Sequence, residues 1–302
     1  MGRDNTHSQT LTLSLDGSLI GAFTPAGILW DTFQTDPIPF TAGVHTITFS
    51  TTDNSGDSTA LVDSVALQSY HFIQRVSVAS DGTQSVAGAD NGLISGDGNV
   101  VAFVSTATKL IPGDAATNNY HPNVFVRNLS DGTTLKASLQ SDGSEFPSDP
   151  VYGLFVQVLA ISRTGRYVVF MDVPDAAYPC PPADIYVRDM QLSTLTRIPA
   201  GMTTRFDVCA SVTADGRFVA FSSDSKSLFP KGNGQKSAAF ICDTTTGAIS
   251  PLSTASRSNT PVAASPIVGI TDDGSKAFFS AEIKEIVPGH TSTEPGIFIK
   301  NL

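Results

Sequence analysis

Short apolar runs of four to seven residues cover most of the chain. They are rich in Val, Ile, Phe and Thr and are closed by Asp-Gly, Ser-Gly or Thr-Gly, while helical periodicity is almost absent. In QTLTLSLDG, Leu11, Leu13 and Leu15 alternate with polar residues. In GVHTITFSTTD, His45, Ile47 and Phe49 share one face and Val44, Thr46 and Thr48 the other, which predicts a half-buried strand with the first set inward. ALVDSVAL, from Ala60 to Leu67, reads as another strand. The chain as a whole reads as all-β.

One pattern recurs four times: ISGDGNVVAF at Ile94, ISRTGRYVVF at Ile161, VTADGRFVAF at Val212 and ITDDGSKAFF at Ile270. The anchor glycines, Gly98, Gly165, Gly216 and Gly274, are spaced by 67, 51 and 58 residues, and each fits a tight turn that needs positive φ. The strand after each turn reaches an aromatic: Phe103, Phe170, Phe221 and Phe279. Eight residues on stands Ile111, Tyr178, Phe229 or Val287, and nine on a proline, Pro112, Pro179, Pro230 or Pro288, which suits a strand exit. A third strand follows, NVFVRNL, DIYVRDM, SAAFICD or GIFIKNL, bearing Phe125, Tyr186, Phe240 and Phe298. After two of these, SDGTT and TTTGA are plain turns that lead to a short fourth strand.

Repeated units of three strands, a turn and a fourth strand predict a β-propeller of about four four-stranded blades. The reason is burial: a lone four-stranded sheet cannot cover both of its apolar faces, and radial packing between neighbours can. Units of roughly 60 residues are short for a row of complete sandwiches of about 100. The last repeat stops at its third strand, and IQRVSVAS, from Ile73 to Ser80, lies spare before the first. Pairing of Ile73–Ser80 with Gly296–Leu302 would close the ring and leave a monomer. The alternative is that the spare strand belongs to a blade of a longer protein.

VTADGRFVAFSSDS, PGD, NVFVRNLSDGTT and IQRVSVASDG resemble the TolB-like, WD40-like propeller repeats common in secreted and periplasmic bacterial proteins, over about residues 73–302. The domain expectation is therefore propeller repeats over 71–302. Residues 1–70 have a different rhythm. Over 10–67 they resemble the C-terminal half of a galactose-binding-like jelly-roll module, which implies a partial β-sandwich segment.

A chain of 302 residues with 40% hydrophobic content can bury a core, and its formal charge of −10 with no basic cluster argues against nucleic acid. No run of eighteen apolar residues predicts a membrane span, and MGRDNTHSQTLTLSLDG does not read as a signal peptide. Cys180, Cys209 and Cys242 lack metal-ligand spacing, His7, His71, His121 and His290 are scattered, and His45 reads as a packed, hydrogen-bonded residue. No Gly-x-Ser-x-Gly elbow is present, and the acidic pairs Asp272 and Asp273, Asp184 and Asp189, and Asp53 and Asp57 read first as turn residues. DNSGDS with Asp53 and Asp57, followed by Asp63, offers hard oxygens for a structural Ca²⁺; no other cofactor is expected. Trp30, near Phe33 and Phe40, is a candidate sugar-stacking platform, with burial in the core as its competing role.

No catalytic residue is assigned. The resulting expectation is a non-enzymatic extracytoplasmic or cell-surface binding or scaffold module that acts through propeller loops on a protein or polysaccharide. The alternatives are a glycan-active or other hydrolase with a carboxylate-lined pocket and a structural piece of a larger secreted protein. Asp, Glu, Arg and Tyr converging on the axis would mark the hydrolase, and a smooth channel of small residues would mark the binder.

Overall fold

The computed structural model describes residues 9–25, 31–39, 43–51, 62, 64–67, 73–84, 87–112, 122–146, 155–173, 182–203, 208–230, 237–255 and 260–302. The chain divides into two compact units, Met1–Gln74 and Arg75–Leu302.

In the first unit, β1 (Leu11–Leu15) and β2 (Ser18–Phe23) form a hairpin around Asp16 and Gly17, whose φ values of 51° and 83° suit a tight two-residue turn. β3 (Ile47–Thr51) pairs with the other side of β1, giving the order β2-β1-β3. The Asp16 carboxylate accepts the Thr46 N–H at 2.8 Å and lies 2.7 Å from His45 Nδ1, which ties the turn to the entry of β3. His45 thus has the hydrogen-bonded role its position suggested. Two expectations fail here. Phe49 is more than a third exposed, because the face it shares with Leu13 is only part-covered. In ALVDSVAL, residues 62 and 64–67 are not a strand: Ser64 takes a φ of 57°, which breaks extended backbone, and Val62, Val65 and Leu67 are exposed.

The second unit is a succession of antiparallel sheets. The first contains β4 (Ala89–Ile94), β5 (Val100–Ser105), β6 (Asn123–Asn128) and β7 (Thr134–Lys136). The second contains β8 (Phe155–Ile161), β9 (Tyr167–Val173), β10 (Ala183–Asp189) and β11 (Thr194–Met202). The third contains β12 (Ala210–Val212), β13 (Phe218–Ser223), β14 (Ala238–Asp243) and β15 (Ala248–Pro251). The fourth has three strands, β16 (Ala264–Ile270), β17 (Lys276–Glu282) and β18 (Pro295–Asn301), with a single helical turn, α1 (Ile283–Ile286), between the last two. Each sheet meanders outward from its first strand, and the first strands β8, β12 and β16 each pack against the sheet before them. These are β-propeller blades.

The four anchor glycines have φ between 69° and 76°, as the turns require. The predicted aromatics face each other across the second and third strands in register: Phe103 with Phe125, Phe170 with Tyr186, Phe221 with Phe240, and Phe279 with Phe298. Each blade therefore has an aromatic face and an aliphatic face. The aliphatic face of one blade (Ala102, Val104, Val124 and Val126 in the first) packs on the aromatic face of the next (Val168 and Phe170). The same junction recurs between blades two and three and between three and four. The glycine turns step along with it. A Cβ on Gly165 would lie 2.3 Å from Val100 Cβ, and one on Gly216 would lie 2.4 Å from Tyr167 Cδ1. Gly98, with no blade before it, has nothing within 4 Å.

The spare strand does not close the ring. β18 pairs only with β17, and Val78 instead bridges to Gln84 in a small hairpin. That hairpin is fixed to the first blade. Thr134 Oγ1 donates to Val78 O at 2.6 Å, Thr134 N–H to Ser80 Oγ at 2.9 Å, and Arg127 Nη1 to Ala79 O at 3.0 Å. The hairpin Leu139–Glu145 has the same six-residue bridge, and Arg188 Nη1 of the second blade donates to Leu139 O at 3.2 Å. Residues 73–77 form no strand, so the fourth-strand reading fails; the loop that follows is present, and hydrogen bonds to Thr134 and Arg127 hold it against the blade after it.

Arg127 is 8% exposed and also donates to Gly132 O and Thr134 Oγ1. Arg127→Ala leaves these acceptors without their charged donor and is expected to cost about 2–3 kcal/mol in urea unfolding. Tryptic cleavage after Arg75 should accelerate at the same time; an unchanged cleavage rate would mean that other contacts hold the hairpin.

Candidate functional site

The inner strands of all four blades border one groove of about 450 Å³ at the propeller axis. Aliphatic residues border it, Leu93 and Ile94 from the first blade, Leu159 and Ile161 from the second, Ala210 and Val212 from the third, and Ile270 from the fourth, while polar atoms make up most of its exposed surface. The repeated turns form one rim. Ser95, Ser162, Thr213 and Thr271 open these turns, and an aspartate caps three of them. The Ser95, Thr213 and Thr271 hydroxyls each donate to Asp97, Asp215 or Asp273 at 2.6 Å, and the same carboxylates accept the N–H two residues on at 3.0 Å.

The second turn position varies: Gly96, Arg163, Ala214 and Asp272. Three of these four residues line the groove. The rim is linked through backbone there, with Asp97 N–H donating to Arg163 O at 2.9 Å and Ala214 N–H to Asp272 O at 3.0 Å. Arg163 Nη1 lies 3.4 Å from Asp272 Oδ2, with both side chains more than half exposed. Such a pair contributes at most about 1 kcal/mol and is open to exchange partners.

The remaining acidic candidates have structural partners. Asp272 and Asp273 part company: Asp272 faces the groove, and Asp273 caps its turn. Hydrogen bonds from the Thr271 hydroxyl and the Ser275 N–H hold the Asp273 carboxyl down at about 2. Asp189 accepts three bonds from Arg166; burial disfavours its charge, yet Arg166 and the Leu192 and Gln191 N–H groups keep it below the usual carboxylate range. Asp184 is paired with Arg197 at 2.5 Å and accepts the Gly201 N–H. Arg217 with Asp243 repeats the Arg166 clamp between second and third strands. Burial pushes the Cys242 thiol up to about 11. Ser211, the hydroxyl in the groove wall, accepts the Ile270 N–H at 3.2 Å, and no histidine or carboxylate hydrogen-bonds it among the described contacts. Among the described residues, no three His, Cys, Asp or Glu side chains come together to hold a metal. Asp53, Asp57 and Asp63, the Ca²⁺ candidates, and Trp30 lie outside the described residues, as do Cys180 and Phe40. Phe33 lies 4.7 Å from Phe23 with the rings tilted by 32°, and is 44% exposed.

Nothing in the repeat pattern marked Arg163 as a groove residue. The available signal was the alignment of the four turns, whose second position runs through Gly96, Arg163, Ala214 and Asp272. Asn91 was also missed. Its φ of 48° aims its Oδ1 at the Val158 N–H, 2.5 Å away, and so links the first two blades.

The turn carboxylates set an acid limit. Asp97, Asp215 and Asp273 all titrate below the ordinary aspartate value because their turns donate to the charged form. A lowered folded pKa contributes stability above the unfolded value and loses it as pH falls through the folded one. The melting midpoint is therefore expected to be flat from about pH 7 to 5 and to fall between about pH 4 and 2. Asp273→Asn should flatten part of that fall; an unaltered acid slope would remove these turns as its cause.

No family model and no curated protein matches the chain. Among solved structures it is similar to TolB from Acinetobacter baumannii, at 14% identity over 85% of this chain and 46% of that one, with a TM-score of 0.39. It is similar also to the β-propeller domain of the Trilobed protease from Pyrococcus furiosus, at 15% identity over 70% and 54% and a TM-score of 0.41. An oligogalacturonate lyase matches at 12% identity over 68% and 45%, with a TM-score of 0.37. The chain spans about half the length of each. Among the described residues, no helix is long and apolar enough to cross a membrane.

Proposed function

We propose that the chain is a non-enzymatic binding module that holds an apolar segment of a protein partner in the axial groove. One observation carries this reading. The groove is bordered by aliphatic residues of four inner strands, with polar atoms making up most of its exposed surface, and the charged side chains on its border are one open pair, Arg163 and Asp272. Such a groove can shelter aliphatic side chains of a bound segment while its polar atoms pair with the segment's backbone, and the charged pair orients one polar group at the rim. A hydrolytic reading needs a paired nucleophile and base or two free carboxylates within reach of each other, whereas Asp184, Asp189 and Asp273 are engaged by arginines or turns. The TolB-like repeat motifs support an extracytoplasmic or surface location, and a polysaccharide remains the second ligand class.

The test is selection of a displayed random-peptide library, and in parallel a glycan array, on the immobilised chain. The expected result is enrichment of apolar peptides that are recovered intact and lose binding at least tenfold with Ala210→Arg, which fills the groove. Binding of glycans alone would favour the polysaccharide reading. Release of cleaved peptide or sugar would overturn the non-enzymatic one.

A further inference from the structure

Arg163 is fixed at its stem and open at its head. It holds the second position of the second repeated turn, and Gly96 holds that position in the turn before. A Cβ on Gly96 would lie 3.3 Å from Arg163 Cγ and 3.4 Å from Arg163 Cα, so the aliphatic stem rests on a bare glycine. The Arg163 carbonyl is held as well, by the Asp97 N–H at 2.9 Å. The guanidinium reaches past Ala214 of the third turn, and among the described residues its hydrogen-bond partner is Asp272 Oδ2 at 3.4 Å. Charge-assisted bonds of this kind form at about 2.7–2.9 Å, so the contact is a loose one, and it uses one guanidinium donor of about five.

Backbone groups open onto the same groove. The Ser162 N–H donates to Tyr167 O at 2.9 Å and the Thr213 N–H to Phe218 O at 3.0 Å. Ile161 and Val212, one residue earlier, therefore form the alternate kind of ladder pair, with Val168 and Val219, in which N–H and C=O point away from the partner strand. In an innermost strand that direction is the groove, which both residues line. At the corresponding Ile270 the N–H is already taken, by Ser211 Oγ at 3.2 Å. The second and third blades thus offer main-chain hydrogen bonds to an extended peptide, beside a guanidinium with donors to spare.

We propose that Arg163 is the receptor for a carboxylate of the peptide held in the groove, and that Asp272 stands in for that carboxylate until it arrives. This rests on the reading of the groove as a peptide site. A ligand carboxylate can take the guanidinium fork with both oxygens, which the loose Asp272 contact does not, so the exchange is favourable. The chain terminus and an acidic side chain carry the same group. The two members of the pair then act on binding in opposite directions. Arg163 attracts the ligand, whereas Asp272 competes for the same donors and repels the incoming charge. A pair that only braced the rim would act in one direction.

The experiment is calorimetric titration of the full chain with N-acetylated aliphatic hexapeptides of one sequence. One has a free C-terminus, one is amidated, and two are amides that end in glutamate or in lysine. The free acid, the glutamate peptide or both should bind about tenfold tighter than the plain amide, and which of them does so identifies the source of the carboxylate. Arg163→Gln should bring acid and amide to nearly equal affinity. Asp272→Asn should tighten the acid about threefold or more and leave the amide unchanged. Both side chains are more than half exposed, so the melting midpoints of the variants should match the wild type. Equal binding of acid and amide by the wild type overturns the proposal and leaves the groove a peptide site. Weaker acid binding by Asp272→Asn also overturns it, since the pair would then be a brace, and so does preference for the lysine peptide, which would make Asp272 the receptor. Binding of none of the peptides overturns it together with the reading on which it rests.

Discussion

Gly165→Ala is expected to lower stability by about 3–5 kcal/mol, while Gly98→Ala costs about 1–2. The two glycines have nearly the same φ, 74° and 76°, so the backbone penalty of a side chain in the left-handed region is shared. They differ in surroundings. A Cβ at Gly165 lands 2.3 Å from Val100 Cβ, an atom fixed to the β5 backbone, whereas at Gly98 it meets open space. The difference, about 2–3 kcal/mol, is the cost of overpacking one blade junction. Urea unfolding of both variants measures it. Equal losses would mean that the second blade can move off the first, and the turn would then be a local feature with no part in the stacking.

Phe221→Ala is expected to cost about 3–5 kcal/mol, since the ring is fully buried and lies 5.8 Å from Phe240 between two blades. Phe278→Ala, the same substitution on the equivalent kind of strand, should cost only about 1 kcal/mol in dilute monomeric chain, where the ring is 41% exposed. A large loss at Phe278 would show that its face is covered in solution. Thermal melting at two protein concentrations separates a covering second copy from a covering segment of the same chain.

Much of this architecture was legible because each blade repeats one pattern. The glycine turn demands positive φ, and the aromatics at Phe103 and Phe125 fall in register with their successors, so strand order and turn type follow from spacing. The fourth strand of the second blade, β11, was not legible. Its turn is built on Ser193, a non-glycine residue with φ of 56°, and carries no Asp-Gly or Thr-Gly mark. The partner of the Ile73–Ser80 segment was misread for a different reason. A missing strand and a spare one suggest each other by count, whereas the structure is decided by Arg127, Thr134 and Ser80, polar groups whose partners are backbone atoms without a sequence signature. The groove was illegible for the same reason: it is bordered by ordinary inner-strand aliphatics, with Arg163, Ser211 and Asp272 as its polar side chains.

The way each glycine turn rests on the blade before it also gives the molecule a direction in time. Gly216 seats against Tyr167, and Gly165 against Val100. The first blade alone brings its own cover, the hairpin held by Arg127, so it can order without a predecessor. Stability in such an array is a chain of nearest-neighbour couplings, and order spreads from whichever unit is self-sufficient. As the chain leaves the ribosome, that blade emerges before the other three, and each of them finds its platform already built. Amide exchange should follow the same gradient, slowest where a blade has neighbours on both sides and fastest at β18.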